Sequence, residues 1–251
     1  MIFTDPEEKL LFAKASDRLA ECKKKNKNTF TDFLDPFKTE KFLRAFSREA
    51  GLTMRAFGGH NEAERRMIGF SVDEDFSDED FPIEALNVAF DPRFHKPPRH
   101  RDYLGSLFAL GIDRAKTGDI ILVENGAVIF VCREIAEFVA ENFIRTGNAA
   151  VRCEAGAALF EAAAGKPPRR ITVASLRLDA VVSGAFKISR SKSAALVESE
   201  KVFVNWTPAI NPSKQLNEGD VVTVRGLGRI KIEGAAGKTK KDRFIINITM
   251  Y

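Results

Sequence analysis

The chain of 251 residues is 44% hydrophobic and 29% charged, with 39 Lys and Arg against 35 Asp and Glu, enough apolar content for two or three modest cores and more than one domain. Its longest apolar stretch, Ile120 to Cys132, is interrupted by Glu124-Asn125-Gly126, so no segment spans a bilayer, and the acidic N-terminus has the character of neither a secretory signal nor a transit peptide. Cys22, Cys132 and Cys153 lack paired spacing, and His60, His95 and His100 are scattered without a Cys-x-x-Cys pair; neither a disulfide framework nor a zinc site is expected, and a soluble cytoplasmic protein without a cofactor is.

In chain order, Leu10, Leu11, Ala15 and Leu19 predict a helix from about Pro6 to Lys24, and a Lys-Asn-rich break at 23–28 separates it from a second helix running from Pro36 or Phe37 to Ala50. Gly51 ends that helix, Leu52–Phe57 reads as a strand, and Gly58-Gly59-His60 as a tight turn. The run Asp73–Asp80, with six acidic residues among eight, reads as a solvated linker closing a helical α+β domain of residues 1–80.

Residues 81–165 carry the order β-α-β-β-α-β. Leu86–Phe90 is the first strand, Asp102–Leu110 a helix ending at Gly111, and Asp119–Val123 with Ala127–Cys132 a hairpin about Asn125-Gly126. A helix follows from Glu134 to Arg145, closed by Gly147, and Ala149–Cys153 returns as the fourth strand. This is the split βαβ, or ferredoxin-like (RRM-like), arrangement with both helices on one face of an antiparallel sheet. The other face is then open to RNA, which such sheets bind through aromatics of the central strands, but Phe130 is the only aromatic in the hairpin and a structural sheet is expected. A second candidate RNA contact precedes the first helix: Arg93, Lys96, Arg99 and Arg101, with His95 and His100, on a loop stiffened by Pro92, Pro97 and Pro98; a merely solvated connector is the other reading of this segment.

Residues 166–251 hold 16 Lys and Arg against 7 Asp and Glu, whereas residues 1–165 hold 23 against 28, so a basic module follows a mildly acidic body. Ser175 can cap a helix that buries Leu176, Val181 and Val182, and Ser189 a second with Ala194, Ala195 and Val197 inward. Arg177, Arg190 and Lys192 then face outward, where helix-terminal amides also favour an anion. Val202–Asn205 and Val221–Arg225 alternate as strands, with Gly219-Asp220 as the turn before the second. Gly234–Thr239 resembles half of a phosphate-binding loop but lacks its first glycine and leads into a strand, so a basic hairpin loop is expected; Gly226-Leu227-Gly228 also reads as a hairpin turn.

Ser175–Asp179, Ser189–Ser193, Val202–Trp206, Glu218-Gly219-Asp220 and Val224–Arg229 together resemble the S-four (alpha-L) RNA-binding domain over about residues 173–232, with Glu200 where that family usually has glycine. Further motifs widen the resemblance: Phe33-Leu34-Asp35-Pro36, Gly58-Gly59-His60 with Ala63-Glu64-Arg65-Arg66, His100–Leu107 with Leu110-Gly111-Ile112, Gly118-Asp119-Ile120 and Val204-Asn205-Trp206. In order and spacing they resemble the YlmH-type S-four proteins of bacteria and plastids across nearly the whole chain. The resemblance implies a non-enzymatic RNA-binding protein linked to the large ribosomal subunit and its tRNA during rescue of stalled translation, in a family often associated with cell-division genes; a monomer is expected. Structured rRNA or tRNA would meet Arg177, Lys187, Arg190, Lys192, Lys201, Lys214 and Arg225, with Asn205 and Trp206 free for a polar or stacking contact. Two other readings stay open. Arg177-Leu178-Asp179 with Ser183-Gly184 imitates the pattern in which pseudouridine synthases present a catalytic aspartate, although Asp179 is expected to pair with an arginine or support its helix. A cell-division-linked protein adaptor is the other.

Overall fold

The computed structural model, which describes residues 6–47, 49–159, 168–239 and 242–250, opens with helix α1 (Pro6–Lys25), whose buried Ala15, Leu19 and Cys22 follow helical spacing. After strand β1 (Thr29–Phe30) comes α2 (Pro36–Phe46), where Pro36 occupies the first turn and the Asp35 carboxylate accepts the Lys38 amide at 2.8 Å. This helix stops well short of the expected Ala50. Strands β2 (Thr53–Phe57) and β3 (Met67–Ser71) complete an antiparallel sheet of order β1-β3-β2. Every residue of β3 is buried, so it carries none of the alternation that marks a half-exposed strand.

The next stretch contains β4 (Ile83–Phe90), α3 (His100–Ala109), β5 (Thr117–Val123), β6 (Gly126–Cys132), α4 (Arg133–Asn142), a short β7 (Arg145–Thr146) and β8 (Ala149–Ala155). Its sheet order, β5-β6-β4-β8-β7 with antiparallel pairing throughout, is the split βαβ arrangement with one added edge strand. Two local details differ from expectation. Val123 pairs with Gly126, so Glu124-Asn125 forms the turn; Gly126 lies in the strand, where a Cβ would overlap the Val88 carbonyl. Gly147, at φ +54°, turns β7 into β8 rather than closing α4.

Strand β6 explains how this sheet is packed. Ala127, Ile129 and Val131 join Leu86, Tyr103, Leu107, Val139 and Phe143 in the core beneath α3 and α4. The alternate residues, Val128, Phe130 and Cys132, join Phe33, Met67, Phe76 and Phe81 in a second core on the opposite side. A sheet apolar on both faces must be covered on both, so the face expected to be open is closed by the N-terminal segments. Phe130 is 1% exposed. The acidic run 73–80 is not a solvated linker either: Phe76 and Phe81 stack at 5.5 Å between centroids, and Asp78 pairs with Arg55 at 2.9 Å. Sheets of residues 1–80 and 81–159, expected as separate domains, thus share one compact unit, Met1–Phe160.

The motif around Gly59 joins those two sheets. Gly59 has φ +96° and its missing Cβ leaves room for the Phe130 ring, with the His60 ring 5.1 Å from it. The Asp119 carboxylate accepts the amides of Glu64 (2.7 Å) and Arg65 (3.1 Å) and lies 3.3 Å from His60 Nε2. Arg65 donates to the carbonyls of Thr117, Phe33 and Arg114. The Gly-Gly-His, Ala-Glu-Arg-Arg and Gly-Asp-Ile motifs are therefore one internal junction.

The second unit, Glu161–Tyr251, contains β9 (Arg169–Val173), α5 (Leu178–Phe186), α6 (Arg190–Glu198), β10 (Val202–Val204), β11 (Thr207–Pro208), β12 (Val221–Val224), β13 (Gly228–Lys238) and β14 (Phe244–Met250). The strands form one antiparallel sheet of order β11-β10-β12-β13-β14-β9. Val181, Val182, Ala185 and Val197 of the two helices pack on Ile171, Val202, Val222, Ile230 and Ile246 of one sheet face. Gly234–Lys238, expected as a hairpin loop, is strand with register shifts at Ile232/Gly234 and Ala235/Gly237. Among the described residues no helix is long and apolar enough to cross a membrane.

Candidate nucleic-acid interface

Helix α6 starts as its sequence dictates: Ser189 is the N-cap and its hydroxyl accepts the Lys192 amide. Ser193 and Val197 form its buried stripe, while Ala195, expected inward, is exposed. Helix α5 behaves differently. Its N-cap is Arg177, not Ser175, and no side chain caps it. The amides of Leu178 and Asp179 instead donate to the carbonyls of Lys214 (2.8 Å) and Pro212 (3.0 Å). Amides expected to greet a phosphate are thus satisfied by the loop before β12.

Asp179 organises this corner. Its side chain is only 6% exposed, and it accepts Nε and Nη2 of Arg177 and Nε of Arg190, each at 3.1 Å. The two guanidiniums, expected to be free, are anchored on one carboxylate while remaining 34% and 52% exposed, so their other N–H groups can still meet an anion. Burial by itself would raise the Asp179 pKa, but hydrogen bonds and charges from Arg177 and Arg190 outweigh it and hold the carboxyl below its ordinary 3.8. The stability this contributes is present in full above the unfolded value and is lost as pH falls through the lower folded value. Acid unfolding of the C-terminal unit, followed by fluorescence of Trp206, should therefore steepen below pH 3.8, and Asp179→Asn should flatten that limb. An unchanged acid profile in the variant would show that the clamp adds no stability.

The remaining candidates fall into separate places. Lys187 is exposed at the left-handed C-cap of α5, at φ +53°. Lys192 is exposed in the first turn of α6, and the Lys214 backbone adjoins the start of α5. Lys201 and Arg225 meet elsewhere: the Arg225 amide donates to the Lys201 carbonyl, and its guanidinium lies 4.8 Å from the centroid of Phe203, an aromatic that sequence reasoning passed over. Asn205 is not a free polar contact. Together with Trp206 it adopts positive φ in the two-residue β10–β11 turn; its amide group donates to Asp220 and its side-chain oxygen accepts the Val221 amide. Trp206 is half-buried, with Nε1 enclosed and lacking a hydrogen-bond partner among the described residues. Glu200 takes φ +56°, so the turn retains the glycine-like conformation at a cost of about 1 kcal/mol.

On the first unit, Arg93, Lys96, Arg99 and Arg101 are all exposed. Lys96 and Arg99 line a cleft against the β7–β8 turn, whereas Arg93 is held by Asp91 and Arg101 lies 3.8 Å from Asp102. Side-chain and backbone hydrogen bonds from Arg93 hold the Asp91 carboxyl down at about 2. Among the described residues one group has metal-ligand spacing, Asp32, Cys132 and Glu134. The Lys116 ammonium already bridges its carboxylates, at 2.7 Å from Asp32 and 2.6 Å from Glu134.

Comparison with known proteins agrees with this geometry. Residues 77–158 match the family described as "Putative RNA-binding domain in YlmH", and residues 176–222 match the S4 domain. The chain is 38% identical over 217 residues to "Ribosome-associated protein quality control protein P2" of Bacillus subtilis (strain 168), covering 85% of this chain and 84% of that protein. The structure of "Cell division protein ylmH from Streptococcus pneumoniae" superposes with a TM-score of 0.50 at 18% identity, over 62% of this chain and 94% of that one, a likeness of fold. By the extent of that identity and the two domain matches, the chain belongs to the YlmH family of S-four RNA-binding proteins.

Proposed function

We propose that this protein grips structured rRNA or tRNA through its C-terminal module, residues 166–251, and acts without catalysis on the large ribosomal subunit in quality control of stalled ribosomes. The observation that carries the RNA contact is the Asp179 clamp: one nearly buried carboxylate holds two partly exposed guanidiniums at the N-terminal ends of α5 and α6. Lys187, Lys192, Lys201 and Lys214 are exposed and have no ion-pair partner among the described residues, which leaves them to phosphates. The ribosomal setting follows the name of the Bacillus subtilis relative. Commitment of Asp179 to Arg177 and Arg190 speaks against its use as a nucleophile in a pseudouridine-synthase-type reaction.

Sedimentation of the tagged protein from cell lysate through sucrose gradients, at low and high salt, tests this reading. The expected result is salt-sensitive comigration with the free large subunit, lost in the Arg190→Glu, Lys192→Glu variant. Retention in ribosome-free fractions at low salt would refute the ribosomal role; a complex that withstands RNase would favour a protein adaptor.

A further inference from the structure

The match to an RNA-binding domain covers residues 77–158, yet the sheet face that split βαβ domains use for RNA is closed here by Phe33, Met67, Phe76 and Phe81. Any RNA contact by this domain needs another surface. The loop between β4 and α3 has the chemistry for one. Asp91 folds it back on itself: its carbonyl accepts the amides of Phe94 and His95, both at 3.2 Å, and its carboxylate accepts the Arg93 amide and guanidinium. Pro92, Pro97 and Pro98 remove further freedom. This rigid loop leaves Phe94 74% exposed, with the Arg93 guanidinium 5.4 Å from its ring centroid. A large aromatic displayed on a preorganised basic loop contributes little to either core.

Beside Phe94 lies a cleft of about 520 Å³ between the loop and the β7–β8 turn, within the range of small-ligand pockets. Lys96 and Arg99 line it and have no acidic partner among the described residues. Asp102, its one acidic wall residue, is occupied by the Arg99 amide at 2.8 Å. Asn148 offers a side-chain amide, and the fully buried Thr146 carries a hydroxyl with no hydrogen-bond partner among the described residues.

We infer that this cleft is a second RNA site that takes an unpaired nucleotide, with the base stacked on Phe94 and the flanking phosphates on Lys96 and Arg99. The inference rests on the RNA-binding reading above and adds to it a site for single strands. Duplex RNA keeps its bases stacked within the helix and cannot offer one to Phe94, whereas an unpaired base can. The three basic residues of the loop, Arg93, Lys96 and Arg99, favour a polyanion over an apolar protein segment.

Fluorescence anisotropy with the full chain, using labelled oligouridine and, in parallel, a labelled RNA hairpin closed by a tight four-nucleotide loop whose bases stay stacked, distinguishes the two sites. Phe94→Ala should weaken oligouridine binding on the order of ten- to a hundredfold without changing its salt dependence. Lys96→Gln with Arg99→Gln should make the log–log salt slope shallower by about one. Both variants should bind the hairpin as the parent does and unfold at the same temperature, because all three side chains are exposed. A thiouridine-substituted oligonucleotide should crosslink to the peptide containing Phe94. If the parent binds the hairpin but the loop variants leave oligouridine binding unchanged, or crosslinks fall only in the C-terminal unit, the cleft proposal is overturned and the RNA-binding reading stands. If the parent binds neither RNA, both fall.

Discussion

Reversal of two charges, Arg190→Glu with Lys192→Glu, is expected to weaken binding to structured RNA by about 3 kcal/mol or more, on the order of a hundredfold, because charge-assisted hydrogen bonds contribute about 1.5–3 kcal/mol each. The log–log dependence of affinity on salt, on the order of −3 to −5 for about five neutralised phosphates, should become shallower by about two. Arg190 and Lys192 both lie in the first turn of α6, and Ser189 fixes that turn by capping it. Reversing exposed Lys9 and Lys14 on α1 alters the net charge by the same amount and should leave binding nearly unchanged. Equal losses in both pairs would place the footprint elsewhere. Glutamate at 190 also brings a second carboxylate toward Asp179, so Arg190→Gln with Lys192→Gln separates lost contact from lost fold. The neutral pair should show the weaker binding with a smaller change in melting temperature.

Phe130→Ala should destabilise the first unit by about 3–5 kcal/mol, the usual cost of emptying a filled aromatic site in a core. In a unit of this size that lowers the melting temperature by roughly 6–20 °C. The ring packs over Gly59 and beside His60 and is 1% exposed, so its loss opens a cavity between the two sheets. RNA affinity measured well below the melting transition should be unchanged, because the ring is covered by protein. Weaker RNA binding without loss of stability would mean that the sheet face opens to RNA in solution. Thermal unfolding and anisotropy on the same sample decide between these results.

Local patterns in the sequence announce much of the architecture. Ser189 and its downstream residues define the start of α6, Asp35-Pro36 the start of α2, alternating residues the strands β10 and β12, and two apolar runs about Asn125-Gly126 the hairpin of β5 and β6. These signals depend on neighbours within a few positions, so they are readable one segment at a time. The order β-α-β-β-α-β and the basic C-terminal module follow from such segments placed in sequence.

What covers each surface is not local. Strand β6 reads as a continuous apolar run, which records that both faces are buried but not by what; the answer lies in Gly59, Phe76 and Phe81, distant in the chain. The same holds for Asp119 and the amide of Glu64, separated by 55 residues, and for Asn205 and Asp220, separated by 15. Asn205 has the chemistry of an RNA contact, and only the fold spends its amide on Asp220 and Val221. Arg177, Asp179 and Arg190 can all be named from sequence, but their union on one buried carboxylate needs two helices packed side by side. Sequence alone therefore determined the elements, their order and the charge that draws the protein to a polyanion, since these arise from composition and short-range spacing. Tertiary structure decided which of those charged and aromatic groups remain available to a partner, because availability is set by contacts between residues the chain brings together only on folding.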